Sequence, residues 1–179
     1  MKYKTLRILL FYPNEPLVGV APSNLALLSA CLKKDEFTEI KLFDCSMYRS
    51  IENITQDQQR ANLGHVKLTD IDNYVTLKNE NIYDDFVKMV NEFKPDLVAA
   101  TVVDNTLEFF LSFAEKIKDK KIPIVVGGVG ATFLYPKILN SNLVDYVCIG
   151  EGEETIVELC NCLYNNQDCS KIRNIYTKN

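Results

Sequence analysis

A doubly wound parallel α/β sheet is the fold this sequence predicts, and three observations predict it. Short apolar runs alternate with longer segments of helical periodicity, as a parallel sheet with crossover helices requires. Two of the runs end in glycine, at Gly127-Gly128 and at Gly150-Glu151-Gly152. Such positions let backbone turn sharply after a strand and let a large ligand approach the carboxyl edge of the sheet. Finally, 179 residues with 47% hydrophobic content suffice for one substantial core and are too short for two, so a single domain over 1-179 is expected.

Arg7 to Tyr12 reads as a buried first strand. Ser23 is placed to cap a helix in which Leu27, Leu28, Cys31 and Leu32 form an apolar stripe. Glu39 to Phe43 is the second strand. Asn81 opens a helix with Asp84 three residues on, and Ile82, Phe86, Val90 and Phe93 recur at helical spacing until Pro95 stops it. Leu97 to Val103 is the third strand, followed from about Asn105 by a helix burying Leu107, Phe110, Leu111, Ala114 and Ile117. Ile122 to Val126 is the fourth strand, a helix follows Ala131-Thr132, and Tyr146 to Ile149 is the fifth strand. A last long helix, Glu153 to Tyr164, carries Ile156, Val157, Cys160 and Leu163 inward. Ile172 to Tyr176 reads as a short edge strand or a linker.

Right-handed crossovers then give a five-stranded sheet of order 2-1-3-4-5 with helices on both faces. The topological switch falls between the first and third strands, so the loops after Tyr12, Val103 and Val126 converge on one crevice. Phe133, Tyr135, Phe109 and Phe110 read most simply as core. The stretch 45-80 is polar, rich in Asn, Asp and Gln, and longer than α/β connections usually are. It reads as an insertion or a lid, with a helix around Ile54 to Leu63.

A formal net charge of -4 and a pI near 5.1 argue against nucleic-acid and anionic-membrane partners. Pro13 stops the N-terminal apolar run before it reaches signal-peptide length, and no later run is long enough to span a bilayer. A cytoplasmic protein is expected. The six cysteines fit a reducing compartment and read as thiols. Cys160 and Cys162, two apart in a helix, point to different faces and make a poor metal pair.

Several segments, in order, carry a resemblance: Pro13, then Ala21-Pro22-Ser23-Asn24-Leu25-Ala26-Leu27-Leu28-Ser29-Ala30, Lys94-Pro95-Asp96-Leu97-Val98, Gly127-Gly128-Val129-Gly130-Ala131-Thr132 and Gly150-Glu151-Gly152-Glu153-Glu154-Thr155. Together they resemble the N-terminal cobalamin-binding domain of radical S-adenosylmethionine enzymes, over most of the chain outside the insertion. The resemblance implies a flavodoxin-like fold with cobalamin held across the carboxyl edge of the sheet and its nucleotide tail in a cleft near the fourth and fifth strands. It implies a cofactor-binding set of Pro13, Asn14, Thr101, Val102, Asp104, Gly127, Gly128, Ala131, Thr132, Gly150, Glu151 and Gly152. The free N-H groups opening the helix after Gly128 are expected to favour anionic groups. Glu153 and Glu154 are also explained as plain partners of a helix dipole.

Two departures accompany the resemblance. The family often has a histidine where this chain has Gly130. Corrinoid proteins that ligate cobalt through a protein histidine carry Asp-x-His-x-x-Gly after the first strand, where this chain reads Tyr12-Pro13-Asn14-Glu15-Pro16-Leu17-Val18-Gly19. The only histidine, His65, lies in the polar insertion, so a histidine-off corrinoid is expected, with no protein metal ligand.

The implied full-length enzyme, a methyltransferase among the possibilities, would bring S-adenosylmethionine and a four-iron cluster in a C-terminal radical domain of the same polypeptide. No Cys-x-x-x-Cys-x-x-Cys occurs here, so this chain is expected to be a non-catalytic piece of it. A receiver domain shares the fold but needs an acidic pair after the first strand, and a flavodoxin needs a phosphate loop there rather than a proline-rich segment. A cofactor-free docking or substrate-recognition module for the catalytic domain is the alternative reading.

Overall fold

The computed structural model describes residues 5–14, 22–34, 38–49, 56–67 and 74–178. Among these residues lie β1 (Leu6–Tyr12), β2 (Thr38–Asp44), β3 (Leu97–Thr101), β4 (Ile124–Gly127), β5 (Tyr146–Cys148) and β6 (Ile175–Thr177). They form one sheet of order β2-β1-β3-β4-β5-β6. The first five are parallel in the expected order, and β6 pairs antiparallel with β5. The sheet therefore has six strands where five were expected. A three-residue strand with one fully buried position carries too little periodicity to separate from a linker.

The helices are α1 (Ser23–Leu32), α2 (Gln56–Asn62), α3 (Ile82–Phe93), α4 (Asp104–Ile117), α5 (Val129–Asn140) and α6 (Glu153–Tyr164). Alternation along the strands divides the core between the two faces. Leu9 and Phe11 of β1, Val98 and Ala100 of β3, and Val126 of β4 face α3, α4 and α5. Ile8 and Leu10, Leu97 and Ala99, and Val125 face α1 and α6. Phe11 anchors the first face, with ring centroids 5.5 Å from Phe43, 5.2 Å from Phe86 and 4.9 Å from Phe113. The second face carries smaller side chains, and it is there that the sheet edge opens.

Local chemistry explains the helix boundaries. Asn81 Oδ1 accepts from the amides of Tyr83 and Asp84 at 2.9 and 3.3 Å, as its position predicts for a cap. Lys94, left-handed at φ 51°, ends α3 before Pro95. The cap of α1 is Pro22 with no side-chain hydrogen bond, so Ser23 opens the helix as its first residue instead. β3 stops at Thr101, and the Val103 amide donates to Thr106 Oγ1 at 3.0 Å to start α4.

Further expectations are corrected. Leu27 is 49% exposed, while Leu25 and Leu32 carry the burial of α1. Leu159 and Cys162 join Ile156 and Cys160 on the buried side of α6. Phe110 is core, but Phe133 is 78% exposed and Tyr135 is exposed as well. Cys162 and Cys169 form a disulfide rather than two thiols, between the end of α6 and the turn Cys169–Lys171.

The insertion is pinned at its neck. Tyr48 and Lys78 form a parallel bridge, with Arg49 N donating to Lys78 O at 3.0 Å and Lys78 N to Met47 O at 2.9 Å. Tyr48 Oη donates to Asp85 of α3 at 2.8 Å and accepts from Lys78 Nζ at 3.0 Å. The expected helix there is α2; Ile54 lies outside the described residues, as do residues 15–19 of the stretch from Tyr12 to Gly19. No described helix is long and apolar enough to cross a membrane.

Candidate functional site

A cleft of about 220 Å³ opens at the carboxyl ends of β3, β4 and β5, between α1 and α6. Its floor is small and apolar, from Ala99, Val125, Leu28 and Leu159. Its rim combines Thr101, Gly127 and Gly128 with Gly150, Glu151 and Gly152. Parallel register sets Thr101 beside Gly127, so two strand ends present a hydroxyl and a bare backbone side by side.

The glycines have different causes. Gly128 is left-handed at φ 93°, and a Cβ there would stand 2.7 Å from both Thr101 Oγ1 and the Val102 carbonyl oxygen. Gly130 is buried, and its Cβ would meet the Val103 carbonyl carbon at 2.8 Å. Its amide donates to Val102 O at 2.9 Å, and the Val102 amide donates to Gly127 O at 2.9 Å. These two glycines therefore serve a backbone-to-backbone approach of α5 and the end of β3. At Gly127, by contrast, a Cβ would meet nothing nearer than Cys148 Cβ at 3.8 Å. That position faces the cleft with room to spare.

Gly150 is also left-handed, at φ 92°, and Gly152 begins α6 where a Cβ would touch Leu28 Cδ2 at 3.4 Å. The Glu151 carbonyl accepts from Thr155 Oγ1 at 3.1 Å and from Asn174 Nδ2 at 3.3 Å, while its side chain is exposed. Thr155 is buried. Burial pushes the Cys148 thiol up, with the Thr155 hydroxyl opposing and the Glu153 charge adding to the rise.

Of the residues expected at the site, Thr101, Gly127, Gly128, Gly150, Glu151 and Gly152 line this cleft. Pro13, Asn14, Val102, Asp104, Ala131 and Thr132 are not among its lining. Pro13, Val102 and Ala131 are buried, and Asn14 Nδ2 donates to Tyr12 Oη at 2.9 Å. Asp104 and Thr132 are exposed in the first turns of α4 and α5. The amides of Gly130, Ala131 and Thr132 are already taken by the carbonyls of Val102 and Gly128. The start of α5 is thus less open to an anion than its sequence suggests.

Sequence reasoning left out Asn24, whose Nδ2 donates to Thr101 Oγ1 at 2.9 Å and joins α1 to β3 across the mouth. It also left out Leu28, Cys148, Thr155 and Ile175. His65, exposed just after α2, donates its amide to Arg60 O at 2.8 Å. Among the described residues, no three His, Cys, Asp or Glu side chains stand together as a metal-binding group.

These features fit cobalamin. A glycine rim admits a bulky group to the backbone, the apolar floor suits a flat heterocycle, and Asn24, Thr101 and Thr155 place polar atoms around it. A solved structure of TsrM, a radical S-adenosylmethionine methyltransferase from Kitasatospora setae with cobalamin and a [4Fe-4S] cluster bound, matches with a TM-score of 0.71 and 18% identity, covering 98% of this chain and 27% of that one. OxsB, a cobalamin-dependent S-adenosylmethionine radical enzyme with aqua-cobalamin and S-adenosylmethionine bound, matches with a TM-score of 0.60 and 16% identity, over 97% and 21%. An anaerobic magnesium-protoporphyrin IX monomethyl ester cyclase of Rubrivivax gelatinosus is 28% identical over 164 residues, 86% of this chain and 24% of the cyclase. The chain thus spans about a quarter of that relative's length. The model of the B12 binding domain matches residues 20–160, and with that match covering most of the sheet and the cleft, the chain belongs to the B12-binding domain family.

Proposed function

We propose that this chain binds cobalamin at the carboxyl edge of its sheet, histidine-off, as the cobalamin module of a longer radical S-adenosylmethionine enzyme. The carrying observation is the cleft between α1 and α6, with its bare-backbone rim and apolar floor. Leu28, Ala99, Val125 and Leu159 would hold the flat end of the nucleotide tail, excluding water from it. Asn24, Thr101 and Thr155 would orient its polar groups, and Gly127 with Gly150 to Gly152 would let the bulk of the cofactor reach the backbone. In this reading Pro13, Asn14, Val102, Asp104, Ala131 and Thr132, which lie outside the lining of the cleft, belong to neighbouring parts of the same proposed site.

The single histidine of the sequence, His65, stands exposed after α2, which supports cobalt without a protein ligand. Bound cobalamin supplies a cobalt centre able to carry an alkyl group such as methyl. In this reading the catalytic domain, with S-adenosylmethionine and the iron-sulfur cluster, follows in the same polypeptide, in the cytoplasm, and residues 1-179 form one module with a polar insertion at 45-80.

Titration with hydroxocobalamin, followed by corrin absorbance and gel filtration, tests the reading. The expected result is stoichiometric retention with a base-off spectrum. Gly127→Leu, which fills the cleft from a position with room for side-chain atoms, is expected to weaken retention by about tenfold or more. A well-folded chain that passes the column free of corrinoid would refute cobalamin binding and favour a cofactor-free docking module.

A further inference from the structure

We propose that residues 168–177, which lie beyond the match to the family at 20–160, brace one side of the cleft, to whose lining they contribute Ile175, and that Asn174 is the positioning residue for its Gly150-Glu151-Gly152 rim. The proposal rests on reading that cleft as a cobalamin site. The rim is a weak piece of chain by itself. Two of its three residues are glycine, and one of these is left-handed, so backbone freedom there is greatest and side chains to fix it are fewest. Its anchor is the Glu151 carbonyl. One donor to it, Thr155 Oγ1, belongs to the helix that the rim itself opens. The other, Asn174 Nδ2, comes from across the sheet edge and ties the rim to β5 and β6.

Asn174 is suited to this in three ways. It is left-handed at φ 67°, a conformation that glycine, asparagine and aspartate tolerate best, and of these only asparagine brings a side-chain N-H donor. Its own carbonyl accepts from the Ile149 amide at 2.9 Å, so the residue grips the rim from below as well as from the side. Its turn also delivers the next side chain, Ile175, buried at 7% exposure, to the cleft wall. Upstream, Asp168 caps the turn Cys169–Lys171 by accepting from Ser170 N at 3.0 Å, and the Cys162–Cys169 disulfide fastens that turn to α6. The whole segment is therefore attached to the two elements that flank the rim.

The test compares Asn174→Gly, which keeps the backbone conformation and loses the amide, with Asn174→Asp, which puts an acceptor against the Glu151 carbonyl. Equilibrium dialysis against hydroxocobalamin, urea denaturation of the ligand-free chain and hydrogen exchange of the peptide 148–156 are read together. Asn174→Gly is expected to raise the hydroxocobalamin Kd about tenfold and Asn174→Asp at least as much, with faster exchange at 148–156, unchanged exchange in α3 and an unfolding midpoint close to wild type. A Kd within about twofold of wild type in both variants would overturn the proposal. So would a loss of affinity accompanied by faster exchange throughout the sheet, which marks general destabilisation. If wild type itself retains no hydroxocobalamin, the cobalamin reading fails and this proposal with it; the exchange data tell that failure from a rim that Asn174 does not hold.

Discussion

At Gly128 the backbone is left-handed and a side chain would collide with the Val102 carbonyl, and at Gly130 a side chain would collide with Val103. Gly128→Ala and Gly130→Ala are each expected to lower the unfolding free energy by roughly 1–3 kcal/mol, and Gly127→Ala to stay within about 0.5 kcal/mol. Urea denaturation of the three variants checks this, and equal losses at all three would remove the distinction. The same geometry leaves no room for a side chain at Gly130 unless α5 retreats from the Val102-Val103 backbone. Two buried thiols add to the loss of stability at alkaline pH. Burial is the main cause that pushes Cys45 and Cys148 up from 9.0, with nearby Asp44 adding to it at Cys45. The unfolded chain releases these protons above about pH 9 while the folded chain retains them, so stability present below that pH is lost as pH rises. Burial also raises the Tyr48 hydroxyl, extending the loss above pH 10.0. Denaturation midpoints are expected to fall steadily from about pH 8.5 to 10.5, and less steeply in Cys45→Ala; identical slopes would contradict this origin. At this scale the glycines were legible because they punctuate apolar strands, whereas Asn24 and Thr155 were not, since polar residues in helices read as solvent-facing until the neighbouring strand end is in place.

Element boundaries show what periodicity carries and what it misses. The long helices α3 and α4 follow their apolar spacing closely, because four or more buried positions repeat on one face. In α5 the pattern misleads. Val129 and Phe133, one helical turn apart, are both exposed, while Ala131, Ile138 and Leu139 are buried. Apolar residues on two faces of a helix give no direction from sequence alone. β6 was ambiguous for the opposite reason, being three residues long, and its attachment depends on partners distant in sequence. The disulfide is one of these. Cys162 and Cys169 are 7 residues apart, and closing so short a loop restricts the unfolded chain by about 2 kcal/mol in the chain-entropy account. A phosphine reductant is expected to lower the urea midpoint of wild type and leave that of Cys162→Ser unmoved. Equal midpoints with and without reductant, and six alkylatable thiols before reduction, would show that the pair is not joined.

For the whole molecule, the strand order followed from handed crossovers, which do not depend on exact boundaries. The described cleft, by contrast, lies at the ends of β3, β4 and β5 and not at the switch between β1 and β3, where the crevice was expected. The depth of the cleft did not follow, because it arises where α1 and α6 meet small residues of three strands at once, a coincidence of separate segments. On the proposed reading, a mild net charge of -4 leaves recognition of cobalamin to shape and apolar contact rather than to long-range attraction. The antiparallel course of β6 has a further consequence. β1 starts at Leu6 on the edge opposite the cleft, and β6, opening at Ile175 beside Cys148 and closing at Thr177 beside Tyr146, returns to that same edge. Both described ends of the chain therefore sit underneath the sheet. An affinity tag or a surface tether attached at either described end can leave from below without crossing the mouth of the cleft.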